Sequence, residues 1–338
     1  MTLPRMMAVA ALLLCSLAAE ASPARAEMNE IRIAKQYGIS YLPLMLMEAD
    51  RTVETFARQA GLNDLKVSWS TFTGGGVMND AILAGGLQFA SGGVGPLIQL
   101  WAATKGKLEV KCVAAMNSMP LYLVTRNPAV KSIRDLTPKD KIAMPAVRIS
   151  IQALTLQIAA EREFGAGEAH KFDSLTVTMS HPEAQAALLS GISEINSHFG
   201  SPPFQYTELK QPGMRRILNS YEVMGGPTSF NFVWASKKFH DENPKTYAAF
   251  VKAFTGAIAA INGNRKLAAE RYLAISGDKK STVDEILAML NDPEIEFTTT
   301  PKATMKYADF MHKTGAIKVK PDVWSDLCFD NVKDLAGS

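Results

Sequence analysis

Apolar and polar positions along this chain fall into short alternating runs separated by longer helical stretches, and the order repeats. Ile31 and Ile33 share one face of an alternating run over residues 30–37, which predicts a first strand. After a turn at 38–41, Pro43 opens an apolar stretch predicted as a helix to residue 60, ended by Gly61. Leu65, Val67 and Trp69 alternate as a second strand. The stretch TGGGVMNDAILAGGLQFASGGVGP, residues 73–96, then predicts a glycine turn, a helix over 77–84, a strand over 87–90 and a second glycine turn at 91–93. A helix over 96–105 and a strand over 108–116 follow, giving the βαβαβαβ order of a mostly parallel sheet.

The order then restarts. An extended run at 119–126 leads to a strand at 141–144, a loop at 146–150 and a helix over 151–164 closed by Gly165. Strands at 175–180, 194–198 and 214–219 alternate with a helix over 182–189 closed by Gly191. A second extended run at 228–236 precedes predicted helices at 244–260, 265–275, 282–290, 303–313 and 322–335. Two such units joined by two extended runs describe an α/β bilobal clamp of two doubly wound lobes. The first lobe would take residues 27–120, the second 121–232, and 233–338 would return to the first. A ligand would lie in the cleft, at loops following strand ends, with the extended runs as hinge.

Composition narrows the class. Hydrophobic content of 47% and charged content of 20% suit a globular protein, and a net charge of +3 without any basic run argues against nucleic acid as a partner. The N-terminus reads as an export signal: Arg5, an apolar stretch at 6–19 too short to span a bilayer, and Ala24-Arg25-Ala26, with cleavage expected after Ala26 and a periplasmic destination. Cys15 lies in that stretch, but Leu-Leu-Leu-Cys is a poor lipidation signal. The mature chain keeps Cys112 and Cys328, and their positions fit a disulfide and a pair of buried thiols equally. The five histidines, His170, His181, His198, His240 and His312, are scattered without metal-ligand spacing, so no metal and no cofactor is expected.

Three stretches carry a resemblance: residues 31–49 (IRIAKQYGISYLPLMLMEA), 80–96 (DAILAGGLQFASGGVGP) and 132–144 (SIRDLTPKDKIAM). With HPEAQAALLSGIS at 181–193, they make the chain resemble the periplasmic substrate-binding proteins of ABC importers of the nitrate, sulfonate and taurine type, and the related thiamine-precursor binding proteins. In the last stretch Glu194-Ile195 stands where that family usually has Asp-Ala. The resemblance implies a periplasmic-binding-protein-like fold that closes on a small molecule, hands it to an inner-membrane permease with its ATPase, and performs no catalysis. A monomer is expected.

Candidate ligand contacts follow from residue chemistry and from the family's contact loops. Tyr37 and Tyr41, after the first strand, offer flat faces and O–H donors. Thr73, Gly74 and Gly75, and likewise Ser91, Gly92 and Gly93, offer hydroxyl and backbone N–H groups at helix starts. In the second lobe Arg148, Ser150 and Gln152 precede or open the long helix, and the Arg148 guanidinium suits a sulfonate or carboxylate. His198, read as a strand-end loop residue, could donate to an anion, with Phe199 as an apolar wall. Asn117, Ser118 and Asn231 border the crossovers and rank lower. Together these suggest a small organic anion such as an alkanesulfonate or taurine. The aromatic residues leave an aromatic acid or a thiamine pyrimidine as the alternative. A thiamine-pyrimidine-synthase-like enzyme would need a cysteine cluster that the chain lacks, and a periplasmic sensor lobe is not separated from an importer component by any residue.

Overall fold

The computed structural model describes residues 26–338, so the expected export segment, save Ala26, lies outside the described residues. In chain order, β1 (Glu30–Lys35), α1 (Leu42–Asp50), α2 (Thr52–Gln59), β2 (Lys66–Thr71), α3 (Gly75–Leu83), β3 (Ala90–Gly93), α4 (Val94–Thr104), β4 (Val110–Ala115) and β5 (Asn117–Ser118) come first. The middle of the chain forms β6 (Tyr122–Thr125), β7 (Ile142–Met144), α5 (Ile151–Phe164), β8 (Thr176–Thr178), α6 (His181–Ser190), β9 (Ser197–Phe199), α7 (Phe204–Leu209), β10 (Arg215–Asn219) and α8 (Ser220–Met224). The remainder forms β11 (Asn231–Ser236), α9 (Lys237–Glu242), α10 (Pro244–Gly263), α11 (Arg265–Ser276), α12 (Val283–Asn291), β12 (Glu296–Phe297) and α13 (Thr304–Lys313).

These strands build two sheets on one plan. In the first lobe β1 pairs in parallel with β2, Ile33 bridges Phe89 just before β3, and β11 runs antiparallel between β3 and β4. The second sheet is ordered β8-β7-β9-β6-β10, with β6 antiparallel to both neighbours and β7 parallel to β8 and β9. Each lobe therefore has one antiparallel strand in the same place, and each of those strands is the end of an extended crossover run. The crossovers meet beside a small ladder in which β12 pairs with β5, and Ser118 bridges Ser229. This is the expected bilobal clamp. The Glu27 carboxylate accepts from the Lys245 and Thr246 N–H groups at 2.8 Å each, capping α10 where a negative charge suits the helix dipole.

Three local expectations are corrected. The helix predicted over 43–60 is two helices, broken where Arg51 takes a left-handed backbone at φ 51°. Asp50-Arg51-Thr52 is a polar interruption between an almost fully buried helix and an amphipathic one, which turn different faces to the core. The second glycine turn is strand instead: Ser91, Gly92 and Gly93 pair with Val233, Phe232 and Asn231 of β11, and α4 starts at Val94 rather than Pro96. The helix predicted over 322–335 is two short 3-10 turns, Trp324–Leu327 and Asp330–Val332. Between them the chain runs extended, Cys328 bridging Cys112 and Phe329 N–H donating to the Cys112 carbonyl at 2.9 Å, so strand pairing overrides helix propensity there. Both cysteines are buried and carry free thiols. Among the described residues, no helix is long and apolar enough to cross a membrane.

Candidate functional site

The lobes meet where helix starts face one another. A small cavity of about 20 Å³ lies between them, lined by Gln36, Tyr41, Gly75, Gly93, Pro96, Pro145, Ser150, Ile151, Gln152, His181, Phe230 and Asn231. No charged side chain is in that lining. Five helices begin on it: α1, α3, α4, α5 and α6, each of nine residues or more, and α1, α3 and α4 have no side-chain cap. Their positive dipole ends favour an anion, while some first-turn donors are already used: Leu42 N–H donates to the Ile39 carbonyl, Pro43 has none, and side chains of Ser150 and Ser180 take one N–H each at α5 and α6. A second observation points the same way. Asn231 is fully buried; its Oδ1 accepts from the Tyr41 hydroxyl at 3.2 Å, and its Nδ2 has no partner among the described residues. A buried amide N–H without an acceptor costs free energy that a ligand oxygen would recover.

The cavity is small because the lobes are in direct contact. A Cβ added at Gly74 would lie 2.6 Å from the Pro145 carbonyl oxygen, and one at Gly95 would overlap the Ile149 carbonyl oxygen. The glycines of the first lobe thus make room for the 145–149 loop of the second. About 20 Å³ holds roughly one water. Beside it opens a second cavity of about 640 Å³, shared by Lys35, Tyr37, Met45 and Glu48 of the first lobe, Pro182, Pro203 and Phe204 of the second, Tyr272, Ile275 and Ser276 at the end of α11, and Gly277 to Lys280 after it. Gln36 lines both cavities.

The residues named from sequence separate into three groups. Tyr41, Gly75, Gly93, Ser150 and Gln152 come together on the small cavity, and Tyr37 on the larger one. Burial pushes the Tyr41 hydroxyl well above the usual phenol range, so it stays a neutral donor to Asn231. Thr73, Gly74, Ser91 and Gly92 stand behind the lining: Ser91 Oγ donates to the Ala34 carbonyl at 2.6 Å, and Gly92 lies against Gln36 and Trp234. Arg148, His198 and Phe199 are elsewhere. Arg148 is exposed, at φ 67°, with Asp173 3.9 Å away, and does not reach the cavity. His198 is not on a loop but inside β9, and Phe199, its neighbour on the opposite face of the strand, is fully buried in the core.

His198 nevertheless reaches the cleft through a partner that its sequence position did not suggest. Its Nε2 is 2.8 Å from His181 Nδ1, and its Nδ1 is 2.6 Å from Glu208 Oε1. His181 Nε2 in turn lies 3.5 Å from Gln152 Nε2, on the small cavity. Glu208, His198 and His181 are all buried. The signal for His181 was present: it follows Ser180, opens α6 with Pro182, and so occupies the helix start after a second-lobe strand. Glu208, on the inner face of a short helix, carried none.

Burial, and then the neighbouring His198, hold the His181 imidazole well below the usual histidine range, so it is neutral at neutral pH. The unfolded chain would protonate it below about pH 6.5. The unfolded state therefore binds more protons just below that pH, and this contribution to stability, complete above about 6.5, falls on acidification at up to about 1.4 kcal/mol per pH unit. Urea unfolding between pH 7.5 and 5.5 is expected to show that slope, and His181→Asn to flatten it. An unchanged slope in the variant would exclude His181 as its source.

No family model matches the chain, and no curated protein matches it. Solved structures do. The alkanesulfonate-binding protein of Xanthomonas axonopodis pv. citri, bound to MOPS, aligns with a TM-score of 0.65 and 18% identity over 88% of this chain and 96% of that one. The periplasmic aliphatic sulphonate binding protein of Escherichia coli gives 0.62 and 18% over 90% and 92%. The ligand binding component of an ABC-type import system from Staphylococcus aureus, with zinc bound, gives 0.63 and 14% over 92% and 99%. The chain is similar to these through its fold, the two-lobed fold of periplasmic binding proteins.

Proposed function

We propose that this chain is the exported solute-binding component of an ABC importer, and that it holds a small organic anion between its lobes for delivery to a permease and its ATPase. The observation that carries the reading is the small cavity itself, where five helix N-termini and the unpartnered Asn231 amide converge without a carboxylate in the lining. The anionic head, a sulfonate or carboxylate, enters as the lobes part and is held there by neutral donors. The organic part extends past Gln36 into the larger cavity, where Tyr37, Phe204 and Tyr272 favour an aromatic or other flat group; of the charges lining it, Lys35 is paired with Glu48 at 3.3 Å, and Lys279 and Lys280 stand beside Asp278.

The test is a calorimetric and thermal-shift panel on residues 27–338, with ethanesulfonate, taurine, nitrate, benzoate-type acids and thiamine pyrimidines. A ligand at about 100 times its Kd should add roughly 2.7 kcal/mol of stability. Asn231→Asp keeps the size but replaces the donor with a carboxylate, and like charges brought together cost several kcal/mol. Affinity for a true anionic ligand is expected to fall by a hundredfold or more. Unchanged or tighter binding in that variant would rule out an anionic head at this position.

A further inference from the structure

The buried line Glu208–His198–His181–Gln152 runs from the interior of the second lobe to the small cavity, and proton counting along it gives a direction. Among the described residues no lysine or arginine pairs with Glu208, and Oε1 contacts only His198. A bare carboxylate buried in this way is costly, so the line is most stable without net charge. Two neutral imidazoles and an ionised carboxyl hold two protons between them; a line without net charge holds three, wherever the proton in the Glu208–His198 bond lies. The 2.6 Å and 2.8 Å hydrogen bonds take one proton each. The third must sit at a free end. One end is Glu208 Oε2, which is buried and has no partner among the described residues to accept from an O–H. The other is His181 Nε2, which faces the Gln152 amide and the cavity. An unpartnered buried donor is the more expensive choice. The Gln152 amide can turn either its oxygen or its nitrogen to the ring, so it does not oppose this. Phe204, stacked on His181 at 5.5 Å, is uncharged.

We propose that His198, anchored by Glu208, is a positioning residue that fixes His181 as a neutral imidazole with its Nε2–H directed into the cleft, as a donor to an acceptor oxygen of the ligand head group. This rests on the reading of the small cavity as the head-group site. It deepens that reading: the site gains a directed donor without a positive charge, and it disfavours a head group that presents N–H donors to His181.

Nitrogen-15 spectra of the histidine rings in the wild-type chain at neutral pH test this without any ligand, with His181→Asn identifying the signals. The expected result is a protonated Nε2 and a bare Nδ1 on His181. A bare Nε2 would overturn the proposal whatever the ligand proves to be, whereas failure of every anion to bind would leave the ring spectra unaffected and fall on the functional reading alone. The double variant His198→Leu with Glu208→Leu removes the anchor without stranding a buried charge. In it His181 is expected to exchange between both tautomers. A His181 that kept a single Nε2–H tautomer there would show that the line does not set it, and would overturn the positioning role.

Discussion

In Gly95→Val the two lobes are expected to stop short of their present contact. Gly95 lies in the first turn of α4, on the first lobe, and any Cβ there overlaps the Ile149 carbonyl oxygen of the second lobe. The 145–149 loop is held from both ends, by β7 and by the α5 start where Ser150 Oγ accepts from Ala153 N–H at 3.2 Å. The loop therefore has little room to retreat, and the cheaper response is rotation of one lobe away from the other about the β5–β12 ladder. Solution scattering should give a larger radius of gyration than wild type. Ligand affinity should fall at least tenfold, since the second-lobe donors no longer reach the head group; that factor corresponds to about 1.4 kcal/mol. Stability should change less than a core overpacking of about 1–3 kcal/mol would suggest, because opening relieves the overlap. Gly256→Ala is the control. Among the described residues, nothing beyond the adjoining residues and the helix's own backbone lies within 4 Å of a Cβ at Gly256 on α10, so its radius should match wild type. A Gly95→Val protein with an unchanged radius and unchanged affinity would show that lobe contact at this glycine has no part in binding.

The fold was legible from sequence because its signals are local. Ile31 with Ile33, and Leu65 with Val67 and Trp69, announce strands, and Gly165 and Gly191 end helices as expected. What local pattern could not supply was pairing. Ser91-Gly92-Gly93 has turn composition, yet β11 arrives from 140 residues away in the chain and makes it a central strand (Gly93 opposite Asn231, for instance). Cys328 and Phe329 look helical until Cys112 pairs with them. The site divides along the same line. Tyr41, Ser150 and Gln152, named from loops and turns that follow strands, do line the small cavity, since such turns are recognisable one at a time. Arg148 drew notice for its charge, but the anion-favouring field in the cavity comes from backbone N–H groups and an amide, which have no signature in composition. His181 and Glu208 acquire meaning only through each other and His198.

That dependence also sets the second large effect. His198→Leu removes the sole hydrogen-bond partner, among the described residues, of Glu208 Oε1 and of His181 Nδ1 while leaving both groups buried. Breaking a buried pair on one side costs about 3–5 kcal/mol, because the remaining polar group keeps its desolvation penalty and loses its compensation. Urea unfolding should show that loss. The companion change Glu208→Leu, added to His198→Leu, takes away the stranded carboxyl and should restore a substantial part of the stability, with a coupling between the two positions of about 0.5–3 kcal/mol. A purely space-filling role for His198 would predict the opposite order, the double variant being the less stable one, since two side chains in a packed sheet-helix contact would then have been altered instead of one. The comparison of single with double variant thus separates packing from pairing. It also separates both from the cleft, because neither His198 nor Glu208 lines the small cavity and only His181 transmits their state to it. A single variant costing less than about 1 kcal/mol would mean that Glu208 finds compensation elsewhere, and the line from the lobe interior to the cleft would lose its physical basis.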